Sequence, residues 1–191
     1  NLFYGNRIVG GVMLAIGLVT MFLGAVLALF SVNFKRTLAC SSVSQIGFIL
    51  TGIGMMGILG EENAIAASGT ILHMLNHSMF KLVLFLVAGV IVQNLHALDL
   101  NEIRGFGRKK PYLMLCYLFG ALGIGGIPGW SGYISKTLLH EGIVEGIHHM
   151  HESHTATLGL KCAEIVFLIS GGITCAYMIK LFVAVFVEKN K

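Results

Sequence analysis

Between Ile8 and Phe34 the chain runs for 27 residues without an Asp, Glu, Lys or Arg. About 20 apolar residues suffice for a helix to cross the hydrocarbon layer of a bilayer. Four further stretches are uncharged or nearly so: residues 37–60, 64–95, 111–140 and 158–187. The third is interrupted only by Lys81 and two histidines, and the fourth opens on Pro111, a favoured first-turn residue. Only 12% of the residues are charged, against roughly a quarter in soluble domains. So little polar surface cannot clothe a water-soluble globule. No segment alternates with a period of two, which argues against a membrane barrel. The expected fold is an all-α integral membrane bundle of five transmembrane helices.

The charges between spans set the orientation. One side, here side one, holds the N-terminus, the Glu61-Glu62 turn and the 141–157 loop, with Arg7 as its single Lys or Arg. Side two holds Lys35, Arg36, Arg104, Arg108, Lys109, Lys110, Lys189 and Lys191. Basic residues collect on the cytoplasmic side, so the N-terminus is expected outside and the C-terminus in the cytoplasm of a multi-pass cell-membrane protein. The chain begins at Asn1 with no cleavable leader pattern, and it reads as a segment of a longer polypeptide.

Several common chemistries lack their signatures. Cys40, Cys116, Cys162 and Cys175 stand apart from one another, without the spacing of a zinc or iron–sulfur site or of a disulfide framework. The glycines near Gly120–Gly132 follow no strand and lack the Gly-Lys-Ser/Thr ending of a phosphate loop. No metal, cofactor or nucleic acid is expected to bind. Five histidines between His140 and His154 leave metal binding open, but a solvated outer loop is the plainer expectation.

The informative residues are ionisable groups inside the spans. Lys81 sits near the middle of the third, where a charged side chain costs roughly 2.5–3.5 kcal/mol on insertion scales. His73, His77 and Lys81 recur every fourth residue, on one helix face with a rise of about 6 Å between neighbours. Such a column suits a proton relay; interhelical hydrogen bonding is the alternative. In the fourth span, six glycines and Pro128 fall within residues 120–132. A helix break is expected there, around Gly125, Gly126, Pro128 and Gly129. Lys136 follows by about two turns and is placed to reach back to the carbonyl end of the preceding half-helix. Broken helices with a charge at the break form ion sites in transporters; a packing kink with a lysine reaching for the interface is the alternative. Ser41, Ser42, Ser44 and Gln45 put polarity into the second span, as channel lining or as helix-to-helix hydrogen bonds. Lys180 is expected to reach outward at its helix end, and Lys161 to pair with Glu164 one turn away.

Three motifs then carry a resemblance: N-F-K-R-T-L-A-C-S-S-V-S-Q-I-G-F, H-M-L-N-H-S-M-F-K-L-V-L-F-L and G-I-P-G-W-S-G-Y-I-S-K, in that order. From about residue 8 to 187 the chain resembles the antiporter-like, proton-translocating membrane subunits of respiratory complex I. That family also includes subunits of multisubunit Na⁺/H⁺ antiporters and of membrane-bound hydrogenases. The resemblance implies half of an inverted-repeat fold, the second five-helix repeat, with one discontinuous helix. It implies relay roles for Lys81, His73, His77 and Lys136, and for Lys35 at the start of the second span. It further implies other membrane subunits as partners, no redox cofactor in the chain, and protons (possibly Na⁺) as the moving ion. The first repeat, with the family's glutamate–lysine pair, is not in this sequence, and Gln45 stands where hydrogenase-type relatives often carry glutamate. The leading expectation is proton translocation within an NADH:quinone oxidoreductase-type complex. An antiporter subunit without redox coupling and a purely structural scaffold are the alternatives.

Overall fold

A computed structural model of the chain describes residues 6–62, 64–150 and 154–189. Six α-helices follow in order: α1 (Arg7–Phe30), α2 (Phe34–Leu59), α3 (Ala64–Leu95), α4 (Pro111–Gly125), α5 (Ser131–His149) and α6 (His154–Phe182). A π-helical turn, Val183–Val187, extends α6. Four of them, α1, α2, α3 and α6, are long and apolar enough to cross a membrane, and α4 is a shorter apolar helix. The fourth span is the discontinuous one, split into α4 and α5. The fold is therefore an all-helical membrane bundle.

The helices are apolar on their outer faces. Along α1, Ile8, Val12, Ile16, Val19, Leu23 and Leu27 are exposed, while Gly10, Leu14, Gly17, Met21 and Gly24 are buried. Aliphatic side chains thus face outward, toward lipid, and small residues face the neighbouring helix. Without a hydrophobic force between helices in lipid, close packing of small residues is what holds them together. Gly10, Gly17 and Gly24 recur every seventh residue and lie against the α2 backbone, where Gly47, Gly54 and Gly57 face α1 in turn.

Helix boundaries differ from the apolar runs. The first run continues to Phe34, but α1 ends at Phe30 and α2 already begins at Phe34. Asn33 caps α2, its Oδ1 accepting from the Arg36 N–H at 3.0 Å. Apolarity alone could not reveal the break because Val32 and Phe34 are as apolar as a helix interior. Lys35 and Arg36 consequently lie in the first turn of α2. The expected outer loop 141–157 is also mostly helix, since α5 continues to His149. Gly142, Ile143 and Gly146 give that extension a buried stripe, and the glycines that lower its apparent helicity permit close packing. His148 and His149 are helical, His154 opens α6, and His151 lies outside the described residues. Among the described residues no group of three metal-ligating side chains is assembled.

The two ends of the bundle are held differently. On side two the 96–110 segment is packed rather than loose, with Leu100 and Ile103 buried. Its backbone bonds to two breaks in the helices. Leu100 N–H donates to Val32 O at 2.8 Å and Phe34 N–H to Leu98 O at 2.9 Å, while Gly105 and Gly107 donate to Ala184 and Val185 of the π-turn. On side one, His149 pairs with Glu62 at 2.8 Å.

Candidate functional site

Three helices carry the same vertical order of side chains. Along α2, Phe34 and Leu38 belong to one apolar cluster, Ser41, Ser44 and Gln45 follow, and Phe48 and Met55 belong to a second cluster. On α3 the order runs in reverse, from Ala66 through Thr70, His73 and Asn76 to Phe80 and Leu84. On α6 it runs from Leu160 and Phe167 through Ser170 and Thr174 to Tyr177 and Leu181. A buried polar layer thus lies between two apolar clusters, with Lys81 at its side-two edge.

The polar groups in this layer form two hydrogen-bonded groups, one around Lys81 and one around His73. Lys81, 5% exposed, donates to Leu38 O at 2.7 Å and to Ser41 Oγ, and Ser41 itself donates to Leu38 O at 3.0 Å. Gln45 Nε2 donates to Thr174 Oγ1 at 3.4 Å. Gln45 Oε1 lies 3.1 Å from His73 Nε2. The other ring nitrogen, His73 Nδ1, lies 3.0 Å from Ser135 Oγ, and Ser135 donates to Gly132 O at 3.1 Å. The buried Tyr177 hydroxyl sits near Ser41, Gln45 and Thr174, between the lysine and histidine groups, and has no hydrogen-bond partner among the described residues.

This arrangement can accept either protonation state at two points by turning a hydroxyl. With His73 neutral, Gln45 Oε1 accepts from Nε2–H and the Ser135 hydroxyl donates to Nδ1. With His73 protonated, both ring nitrogens donate, and the Ser135 hydroxyl turns to Gly132 O. Lys81 has the same option: its ammonium donates to Ser41, and its neutral amine accepts from the Ser41 hydroxyl that otherwise bonds Leu38 O. Neither change leaves a buried donor or acceptor orphaned, a defect costing about 1–3 kcal/mol.

Lys136 is held by the helix break. Gly126 ends α4 in the left-handed region at φ 75°, and Gly129 has φ 95°, conformations glycine adopts without steric cost. The last four carbonyls of α4 all find partners. Leu122 O accepts from Ile127 N–H and Gly123 O from Gly126 N–H, each at 3.2 Å. Ile124 O accepts from Lys136 Nζ at 2.9 Å, and Gly125 O from Cys175 Sγ at 3.3 Å. The ammonium also lies 4.9 Å from the centre of the Phe48 ring. Asn76 ties α3 to the start of α5, donating to Ser131 O and accepting from Ser131 Oγ, each at 2.9 Å.

The remaining sequence candidates fall outside these hydrogen-bonded groups. His77 is half-buried, and its Nε2 is enclosed without a hydrogen-bond partner among the described residues. The three-residue column is therefore not a hydrogen-bonded wire: a rise of about 6 Å per four residues is too long for direct bonds, and the connections run sideways to α2 and α5. Lys35 is exposed in the first turn of α2. Ser44 donates to Met21 O of α1 at 2.9 Å and serves packing. Lys180 reaches toward the side-two end of the bundle, where it meets the neighbouring helix. Its Nζ donates to Leu29 O and Ser31 O at 2.6 Å and to Ala28 O at 3.3 Å, closing the carbonyl end of α1. Glu164 pairs with His140 of α5 at 2.9 Å, and Lys161 is exposed; the neighbouring helix offers a half-buried partner where the i,i+3 lysine remains solvated. Ser135, Thr174 and Tyr177 were not legible as site residues, since single hydroxyls on apolar helices are common.

Comparison with known proteins gives this geometry a lineage. Residues 2–158 match the family described as NADH:quinone oxidoreductase/Mrp antiporter, transmembrane. The chain belongs to this family. Among its relatives, NAD(P)H-quinone oxidoreductase chain 4 2 of Thermosynechococcus vestitus is 30% identical, over 94% of this chain and 31% of its own length. Hydrogenase-4 component B of Escherichia coli is 29% identical, over 91% of this chain and 26% of its own. The putative antiporter subunit mnhA2 of Staphylococcus haemolyticus is 28% identical, over 86% and 22%. A chain in the structure of the Mrp complex from a Dietzia species shares the fold, with a TM-score of 0.82 and 23% identity over 98% of this chain and 32% of that one. The chain spans between 22% and 32% of the length of these proteins.

Proposed function

We propose that this chain forms one five-helix repeat of a proton-translocating, antiporter-like membrane subunit, with Lys81, His73 and Lys136 as its proton-carrying groups. The observation that carries the proposal is the pair of buried hydrogen-bonded groups on either side of the Tyr177 hydroxyl, Lys81–Ser41 and Gln45–His73–Ser135. At Lys81 and at His73, gain or loss of a proton is accommodated by turning one serine hydroxyl. Membership of the NADH:quinone oxidoreductase/Mrp antiporter family supports the same reading. Lysine and histidine groups, with no carboxylate among them in the described layer, favour H⁺ over Na⁺ as the ion handled here, because nothing beside these cationic groups offsets the charge of a metal cation.

The subunit works within a larger membrane assembly, of the NADH:quinone oxidoreductase type. The similarity to a putative antiporter subunit and to the Mrp complex supports a second setting, a Na⁺/H⁺ antiporter without redox coupling. The N-terminus faces outward and the C-terminus the cytoplasm, as the concentration of basic residues on side two requires. His77 and Lys35 extend the pathway at its margins.

Arginine tests the role of the lysines. Its guanidinium stays charged in proteins, with a pKa above about 12, so Lys81→Arg and Lys136→Arg keep the charge and forbid proton release. In the full-length subunit both variants are expected to assemble and to lose proton translocation into membrane vesicles as completely as Lys→Met. Near-normal translocation by both arginine variants would end the proposal.

A further inference from the structure

We infer that Tyr177 of α6 is a positioning residue that couples the Lys81 group to the His73 group, its single phenolic hydrogen serving Gln45 while Lys81 is charged and Ser41 once that proton has left. The inference rests on the proton-translocation reading above.

The two groups share no bond of their own. Ser41 and Gln45 stand four residues apart on α2, a rise of about 6 Å. Ser41 bonds to Lys81 and Leu38, Gln45 bonds to Thr174 and His73, and neither bonds the other. Tyr177 is brought to this gap by α6. Its ring is packed in the side-two apolar cluster and is 0% exposed. Its hydroxyl stands beside Ser41, Gln45 and Thr174 without a hydrogen-bond partner among the described residues. A buried tyrosine hydroxyl usually finds a partner, because leaving it unbonded is costly. Thr174 is already committed, donating to Ser170 O at 2.8 Å and accepting from Gln45 Nε2 at 3.4 Å. The acceptors that change with protonation are Ser41 Oγ and Gln45 Oε1.

Lys81 decides which of them takes the hydrogen. A hydroxyl oxygen has two lone pairs. The Lys81 ammonium occupies one at Ser41, and its charge repels a second donor. The phenolic hydrogen then turns to Gln45 Oε1, which His73 Nε2 also uses at 3.1 Å. Once Lys81 is neutral, Ser41 donates to the amine, both lone pairs are free, and the phenolic hydrogen turns there. Gln45 Oε1 is left to His73 alone, and a charged ring is the stronger donor to it. A proton leaving Lys81 thus prepares His73 to receive one, and no bond of the phenol breaks. The other titratable groups around the layer are Cys40 of α2, His77 of α3, Lys136 of α5 and Cys175 of α6, and none of them bonds the Tyr177 hydroxyl.

The test places phenylalanine or para-methylphenylalanine at position 177 of the full-length subunit, beside Lys81→Met, and reads proton translocation into membrane vesicles per assembled complex. Tyr177→Phe keeps the ring and removes only the hydroxyl. It is expected to melt no lower than the parent, because the hydroxyl holds no fixed bond, and to translocate roughly tenfold more slowly, the order of a coupling between two sites. The methyl analogue fills the space of the hydroxyl and is expected to restore nothing. The phenolic C–O stretch, identified in infrared spectra as the band that Tyr177→Phe removes, is expected to shift in Lys81→Met, where the acceptor changes. Normal translocation or a lower melting temperature in Tyr177→Phe, restoration by the methyl analogue, or a band unmoved by Lys81→Met would overturn this inference alone. Where Lys81→Met fails to assemble, the two variants at position 177 decide. Normal translocation in Lys81→Met would instead overturn the underlying reading.

Discussion

Replacing Gly17 by alanine tests the α1–α2 seam in a way that isolates its energetics. A Cβ at Gly17 would lie 2.7 Å from Thr51 N, 2.9 Å from Thr51 Oγ1 and 3.0 Å from the Leu50 carbonyl carbon. Ordinary contact begins at 3.4 Å, so the helices must part by about 0.7 Å at a place where the obstacle is backbone. Overpacking of this kind costs about 1–3 kcal/mol. Alanine also gains about 0.8–1 kcal/mol of helix propensity over glycine, and that gain blurs a single measurement. Gly11 removes the ambiguity, because a Cβ there meets nothing within 4 Å. Gly11→Ala carries the propensity gain alone, and the difference between the two variants is the clash, about 1–3 kcal/mol. Thermal unfolding of the subunit in detergent should place Gly17→Ala several degrees below Gly11→Ala, at roughly 2–4 °C per kcal/mol for a body of this size. Equal melting temperatures would refute the close-packed seam.

Two further outcomes are expected. Lys180→Met should destabilise the subunit by about 1–3 kcal/mol, read by the same thermal assay, since three carbonyls at the end of α1 lose their donor; an unchanged melting temperature would show that water replaces the ammonium at no cost. A cysteine placed at Arg108, which is exposed in the 96–110 segment, should resist an impermeant thiol reagent in intact cells and react in inverted vesicles. Labelling in intact cells would reverse the orientation proposed for the chain.

Much of this architecture can be read from the residues. The apolar runs locate the helices, and the Gly-Gly-Ile-Pro-Gly stretch locates the break, because positive φ at Gly126 and Gly129 is a local property of glycine. Lys81 and Lys136 announce themselves by depth. Lateral partners are another matter. Nothing in the periodicity of α3 says that His73 bonds Gln45 and Ser135 while His77 bonds nothing among the described residues, since both stand on one face and differ only in what the neighbouring helices bring. The partners of Lys180 and Glu164 are hidden for the same reason. Each helix by itself offers only water or an i,i+3 partner, whereas the bundle supplies α1 carbonyls and His140. The glycines of the α1–α2 seam, spaced by seven, were visible in the sequence but signify packing only once the facing helix is known.

The carbonyl end of α4 has a mechanical consequence. Two of its four acceptors are closed by its own chain and two by distant side chains, Lys136 on α5 and Cys175 on α6. One of those clamps is charged, and a charge-assisted hydrogen bond is roughly twice as strong as a neutral one. On the proton-carrying role proposed for Lys136, the occupancy of that one proton sets the stiffness of the joint between the two half-helices. Linkage is reciprocal: a neighbour that pushes on the end of α4 alters proton binding at Lys136, and a proton arriving there pushes back. The break behaves as a lever whose catch is one proton, and a displacement applied outside this bundle could load or release it without touching any group in the buried layer.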